Sequence, residues 1–576
     1  MHSRRPSFAL ALALAAGTVS CSRAPRPSIL LLTLDTTRAD ALSCYSSDGA
    51  PTTNLDRLAE GGIAFDAAFS CVPMTFPAHA SILTGLYPPR HRVRDNGGAP
   101  LADAALTLAE RAQAEGYATA AFVAAVVLDP VFGLDQGFSV YDGPEGDPAA
   151  GSEHGEGQRP ASEVVDGALA WLETRDPAEP FLLWLHFYDP HTPYAAPEDG
   201  GCALGDLDAS LRSQYLRDVC AMDREIGRVL AALDDGGLAD ETIVLAVGDH
   251  GEAFGEHSEY GHSAHCFDTT LRVPFLLRLP DGSHAGERRG DVVSLVDVLP
   301  TLARLAGWSD PAAPPIGALA DLDGRALLPG PMPTDRGVYF ESYYGYLNFG
   351  WSPLAGWLDG NGKYLHASRD EFYRLDEDPN EERNRIGEPG LDLHPYQVPI
   401  ARLGEASRLP AGDSAPQDPE LLASLRGLGY LSSGASTADL PAPLASSSLP
   451  APSDMAAPYE RSIDALELIR RGESAAAIPI LEEVRSLNPA NPFVLDLLAS
   501  CYLEEGRAAD AEPVLRDLIR SSRTPDAGAF TRLGVTLLAL GRPGEAVEVL
   551  GKATQLAPDR PRPKRELARA RSMLGR

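Results

Sequence analysis

Three stretches of the 576-residue chain run apolar without a break and then stop on polar groups: SILLLTLD (28–35), FLLWLHF (181–187) and ETIVLAVGD (241–249). Apolar runs without alternation predict central strands buried on both faces. Between them, LADAALTLAERAQAEGY and SQYLRDVCAMDREIGRVLAALDDGG repeat their apolar residues with the period of a helix. Strands and helices in alternation predict an α/β domain, a sheet with helices on both faces. In open sheets of this kind ligands collect beyond the carboxyl ends of the strands. Asp35, Asp249 and His250 fall at such ends. Their placement is the first sign of a site.

A different pattern begins at 431. Residues 431–458, LSSGASTADLPAPLASSSLPAPSDMAAP, are rich in Ser, Ala and Pro, so they are expected as an extended, mobile linker without a core. Beyond it Gly472, Gly506 and Gly541 lie 34 and 35 residues apart, and Ala477, Ala511 and Ala546 keep those intervals, as do Leu481, Leu515 and Leu550. Pro489 and Pro558 close the first and third units. Paired helices with small residues where they touch match the tetratricopeptide pattern. Residues 459–576 are therefore expected as an all-α solenoid of three units, capped by the polar helix RPKRELARARSMLGR. Its concave face predicts a peptide or protein partner.

The amino end predicts export. Arg4 and Arg5 precede FALALALAAG, too short to span a bilayer, and small residues lead to Cys21. TVSC resembles a lipoprotein cleavage box with Cys21 as the lipidated residue, although Thr18 stands where leucine is usual. Twin-arginine export is the other reading, with Phe8 one place late. Residues 1–21 are thus expected as a signal peptide. The mature chain is expected to be periplasmic or envelope-bound, touching a membrane only through that anchor. A net charge of −32, from 49 Lys plus Arg against 81 Asp plus Glu, argues against nucleic acid as a partner and suits divalent cations. No C-x-x-C pair is present, so no thiolate zinc site is expected; Cys202 and Cys220 are candidates for a disulfide in an oxidising compartment.

The chemistry gathers on TFPAHASILTG (75–85). Pro77 suits a first helical turn, which puts Thr75 at or just before the cap, among free backbone N–H groups that attract an anion. A hydroxyl held there and ionised by a metal can attack phosphorus or sulfur.

From about 28 to 430 the chain resembles the sulfatase family of the alkaline phosphatase superfamily. The resemblance rests on many blocks in order, among them PSILLLTLDTTRADALSCY, TTNLDRLAEGGIAFDAAFS, PAHASILTGLYPPRH, FYDPHTPY, GDHGEAFGEH, LRVPFLLRLP, VSLVDVLPTLARLAG and EFYRLDEDPNEERN. It implies a mixed sheet sandwiched by helices, with a small α+β subdomain at the end of this region. It also implies that Asp35, Asp249 and His250 bind one divalent metal together with Thr75, the residue in the nucleophile position. His191, in DPHTPY, matches a histidine acting near the leaving group, with His186 and Asp189 as nearby candidates. Ca²⁺ is the metal the family implies, whereas His250 in place of the usual amide tilts toward Zn²⁺ or Mn²⁺. A second metal would need Asp189, His191, His262 and His265, and is not expected.

The departures from the family pattern redirect the substrate. Sulfate-ester hydrolases carry Cys-x-Pro-Ser/Ala-Arg, whose Cys becomes formylglycine. Aligned on LTG, Thr75 replaces that Cys and His79 the Arg, while Cys71 is one turn too early and reads as a packing residue. Thr36 replaces a second Asp, GYATAAFVAAVVLDP lacks the usual Lys and His, and His262 takes the place of a sulfate-contacting Lys. The Thr75 block is similar to that of nucleotide pyrophosphatase/phosphodiesterases of the same superfamily. The resemblance thus implies a hydrolase of sulfate or phosphate esters acting through Thr75. A phosphodiesterase or phosphotransferase, or a scaffold with a decayed catalytic half, are the alternatives.

Overall fold

The computed structural model describes residues 26–144, 158–195, 210–309, 318–412, 440–522 and 527–575. The expected signal peptide, Cys21 and Cys202 lie outside them. The three apolar runs form β1 (Ser28–Leu34), β5 (Phe181–Phe187) and β6 (Thr242–Gly248), side by side in the middle of a sheet and buried along their whole length. Around them stand β2 (Ile63–Phe69), β3 (Ala118–Phe122), β4 (Val140–Asp142), β9 (Phe275–Arg278) and β10 (Glu287–Ser294); the short pair β7 (Ala253–Phe254) and β8 (Tyr260–Gly261) stands apart. The eight strands follow the order β10-β2-β9-β6-β1-β5-β3-β4, all parallel to their neighbours except β9. Parallel pairing at the centre brings the carboxyl ends of β1, β5 and β6 to one edge, with Thr33 opposite His186 on one side and Val247 on the other. That edge carries the site.

The longer expected helix forms over Leu211–Asp235, where Ser210 caps it by accepting from the Ser213 N–H at 3.2 Å. The other is shorter than its pattern. Thr107 and Glu110 close a capping box that starts the helix at Leu108, leaving LADAALT outside it. A second, four-stranded antiparallel sheet, β11 (Gly337–Ser342), β12 (Leu354–Asp359), β13 (Lys363–His366) and β14 (Glu371–Tyr373), with the helix His394–Glu405, forms the small subdomain.

The carboxyl-terminal part is helical throughout its described residues, from Pro452–Arg470 to Pro561–Leu574. Gly472, Gly506 and Gly541 sit in the turns between paired helices with φ of +77°, +71° and +74°, which a side chain rarely tolerates. The matching alanines and leucines are fully buried where the helices touch.

The segment expected to be a mobile linker differs from its pattern. Its described part, from 440, lies against the α/β half: the Tyr343 hydroxyl donates to the Pro441 carbonyl at 2.9 Å, and the Ser352 N–H to that of Pro450 at 2.8 Å. Prolines keep this stretch extended and leave its carbonyls free to accept. The first repeat helix then starts at Pro452, ahead of residue 459, because PSDMAA has a proline in the first turn and buries Met455 in the catalytic core. An aromatic seam continues the contact, with the Phe349 ring 5.1 Å from Tyr459 and 5.5 Å from Phe493, and the Asn488 amide donating to the Phe349 carbonyl at 2.8 Å. Phe349→Ala should therefore cost about 3–5 kcal/mol of seam stability. Faster proteolysis near residue 440 without loss of the catalytic fold is the expected readout.

Cys220 is disulfide-bonded, while Cys44, Cys71, Cys266 and Cys501 are free. Among the described residues no helix is long and apolar enough to cross a membrane.

Candidate active site

Asp35 follows β1 directly, and its N–H is tied to the Phe187 carbonyl at the end of β5, 2.9 Å away. Thr36 then turns into the left-handed region with φ of +49°, a strained conformation for a β-branched residue. The turn aims its N–H at Asp249 Oδ1, 3.1 Å away. Thr75 is the first residue of the helix Thr75–Thr84, one place past the cap at Met74, and Pro77 is its third. The whole helix is buried, so Thr75 is held by rigid structure rather than by a loop.

Hydrogen-bond directions sort the donors. Asp249 Oδ1 accepts from the backbone of His250 at 2.7 Å and of Thr36, while Oδ2 is buried without a partner. Asp35 Oδ2 accepts from Thr75 Oγ1 at 3.4 Å, while Oδ1 is buried without a partner. The Nδ1–H of His250 donates to the Gly251 carbonyl at 3.0 Å, so Nε2 keeps a bare lone pair. That nitrogen lies 3.3 Å from Thr75 Oγ1, 3.6 Å from Asp249 Oδ2 and 3.9 Å from Asp35 Oδ1. Ligand atoms of Asp35, Asp249 and His250 lie within 4.8 Å of one another, close enough that the three could hold a metal ion, and Thr75 Oγ1 stands beside them. Burial pushes both carboxyls well above their usual range, Asp249 further through the charge of Asp35, and drives His250 well below the usual imidazole value. Buried acids in that state are relieved by a dication.

The remaining histidines divide. His191 Nδ1 lies 2.7 Å from the Tyr188 hydroxyl, which accepts from Gln158 at 2.8 Å, and its Nδ1–H donates to the Thr192 carbonyl at 2.6 Å, so Nε2 is bare. That Nε2 faces His262 Nε2 at 3.1 Å, and the Nδ1–H of His262 donates to the Pro73 carbonyl at 3.1 Å. The His262 ring lies 4.4 Å from that of His250, so the pair stands beside the Asp35, Asp249 and His250 cluster. His79 lies beside the cluster, its Nδ1 3.7 Å from Asp249 Oδ2. Its Nδ1–H donates to the Thr75 carbonyl at 2.8 Å, and its Nε2 accepts from Thr33 Oγ1 at 3.0 Å. Burial drives its titration well below the usual range, so the ring is no stand-in for a fixed cation.

Two supposed contributors to a second metal are drawn elsewhere. Asp189 accepts from the Ala161 N–H at 3.0 and 3.1 Å and so caps the helix Ala161–Thr174. The His265 ring packs against Trp351, 5.9 Å away. Cys71 is buried, its Sγ 3.1 Å from Ser81 Oγ and its thiol pushed up to about 12 by burial.

One residue escaped the sequence reading. Asn96 Oδ1 accepts the Phe76 N–H at 2.9 Å, at the start of the Thr75–Thr84 helix, and its amide nitrogen is buried without a partner. It is a ready donor for a bound oxyanion. RDNGG reads as a turn, and only the fold brings that turn over the helix.

Residues 27–308 match the family model described as sulfatase, and residues 468–531 and 527–560 match two tetratricopeptide repeat models. Residues 27–308 are a sulfatase-family domain. The uncharacterized sulfatase YidJ of Escherichia coli (strain K12) is 27% identical over 438 residues, spanning 63% of this chain and 83% of its own. The multifunctional alkaline phosphatase superfamily protein PehA of Trinickia caryophylli is 26% identical over 487 residues, 63% of this chain and 92% of its own. Among solved structures, the phosphonate monoester hydrolase of Agrobacterium radiobacter superposes with a TM-score of 0.52 at 23% identity, covering 66% of this chain and 94% of its own. The sulfatase-family domain of this chain shares that fold and is followed by tetratricopeptide repeats.

Proposed function

We propose that the chain is an exported, metal-dependent ester hydrolase whose nucleophile is Thr75 and whose substrates carry a single negative charge on the transferred group. The observation that supports it is the convergence of Thr75 Oγ1 and His250 Nε2, 3.3 Å apart, with two unpartnered carboxylate oxygens. Asp35, Asp249, His250 and the Thr75 hydroxyl would hold the metal; one nitrogen among oxygens suits Zn²⁺ or Mn²⁺ better than Ca²⁺, the family's metal. When bound, the dication lowers the hydroxyl's pKa and neutralises the substrate's oxygens.

The chain's own groups do the rest. Thr75 Oγ1 gives its proton to solvent and bonds to phosphorus as the ester bond breaks, and the leaving oxygen takes a proton relayed from solvent through the facing Nε2 atoms of His191 and His262. Water then attacks phosphorus, the Oγ1 bond breaks and Thr75 regains a proton. Asn96 donates to a non-bridging oxygen.

Charge selects the substrate. Arg159 and Arg38, the arginines that bear on His186 and Glu252, are paired with Asp142 and with Asp40 and Glu256. Two aspartates already balance one dication, so among the described residues the paired Arg159 and Arg38 leave a dianionic phosphate monoester no spare positive charge. Phosphodiesters, phosphonate monoesters and sulfate monoesters do not need one. Among these, a threonine favours phosphorus, since eliminating sulfate from an aldehyde hydrate is closed to it; the family match favours sulfate as the second reading. The repeats serve to hold a peptide or protein, and Cys21 anchors the exported chain. A panel of p-nitrophenyl esters tests the selectivity: kcat/KM for the diester or phosphonate should exceed that for the phosphate monoester by about a hundredfold, the size of an uncompensated like charge. A monoester as the best substrate would sink it.

A further inference from the structure

Resting on that metal site, one more residue acquires a role. His186 closes β5 beside Thr33, fully buried, with its Nε2 3.2 Å from Asp35 Oδ2. Such a spacing has two readings. In one, His186 is a further metal ligand, and with His79 and Asp249 it forms a second group of donors close enough to share an ion. In the other, it donates a hydrogen bond to the carboxylate.

The other side of the ring decides between them. His186 Nδ1 faces the backbone N–H of Ala124 at 3.3 Å. A peptide N–H can only donate, so Nδ1 is the bare nitrogen and a neutral ring carries its proton on Nε2. A protonated nitrogen cannot ligate a metal. His79 obeys the same logic: its Nδ1 faces the Thr75 carbonyl, which can only accept, so that nitrogen is protonated too. His250 shows the opposite arrangement, its Nδ1–H spent on a carbonyl and its Nε2 bare. The backbone thus dictates the tautomer of three buried histidines, Nε2–H at His186 and Nδ1–H at His79 and His250, and only His250 turns a bare nitrogen toward the Asp35 and Asp249 carboxylates.

We infer that His186 is a positioning residue: its Nε2–H fixes Asp35 Oδ2 and so turns Oδ1, which has no partner, toward the metal. The site holds one ion, and the Asp35 carboxylate is oriented rather than free to rotate. Hydrogen bonds of this kind to a metal-ligating carboxylate set affinity more than stoichiometry.

Zn²⁺ titration of full-length protein against a chromophoric chelator tests this without reference to turnover. Wild-type protein should take up one Zn²⁺, and His186→Ala should still take up one with a Kd about 10–100-fold weaker. His186→Gln, which keeps an N–H in reach of Asp35, should fall between the two, and circular dichroism of both metal-free variants should match wild type. An unchanged Kd in His186→Ala overturns the inference, as does a fall from two ions to one, which would make His186 a ligand. A glutamine variant no better than alanine removes the hydrogen bond as the cause. Wild-type protein that takes up no Zn²⁺ or Mn²⁺ overturns the metal site itself along with this role.

Discussion

Thr75→Ala loses turnover by about a thousandfold or more, because no other group can supply the attacking oxygen. Its fold should survive. The hydroxyl makes only long contacts, 3.4 Å to Asp35 and 3.3 Å to His250, and the helix around it is anchored by ten buried residues. Deleting a hydroxyl and a methyl there costs about 1 kcal/mol, read as a small drop in thermal midpoint. Thr75→Ser should keep a measurable part of the activity. Cys71→Ala is the contrasting variant: a buried thiol pushed up to about 12 is neither a nucleophile nor open to modification, so activity should remain near wild type. Mass spectrometry of the peptide spanning residues 71–90 after rapid quenching should find added phosphate on Thr75 and unmodified Cys71. Full activity in Thr75→Ala, with loss in Cys71→Ala, would reverse the assignment.

Metal removal is the second large effect. Two buried carboxylate oxygens without partners are unfavourable, so a metal bound between them should stabilise the fold. A chelator in excess should abolish activity, with restoration by stoichiometric Zn²⁺ or Mn²⁺. It should also lower wild-type stability by about 3 kcal/mol relative to protein at a hundredfold excess of metal over Kd. Asp249→Asn keeps the shape and its Oδ1 contacts but removes a ligand charge. It should be inactive, and its thermal midpoint should not respond to chelator. A chelator-sensitive midpoint in that variant would place the ion elsewhere.

Much of this was legible from the sequence, for physical reasons that differ by element. β1, β5 and β6 announce themselves because strands covered on both faces need no polar positions, and chain order then puts Asp35, Asp249 and His250 at their ends. The repeat register is visible because each glycine must take positive φ and each alanine must admit a neighbouring helix. β2 and β9 escaped the periodicity because IAFDAAF and FLLR are short or mixed, and β9 runs against its neighbours. Asn96 and the part played by His186 were hidden for another reason. Each acts through a single backbone N–H, of Phe76 and of Ala124, and no spacing rule reaches across 20 or 62 residues to find it. The signal that was there for His186 is a lone imidazole inside an otherwise apolar central strand. The linker misled because composition reports what a segment cannot build alone, not what a neighbouring surface can offer it.

The seam at Phe349, Tyr459 and Phe493 gives the repeats a bearing as well as a tether. On a slack leash, a peptide held by the repeats would sample every approach to the α/β half. Bolted in place, the array would present such a peptide at one fixed span from it.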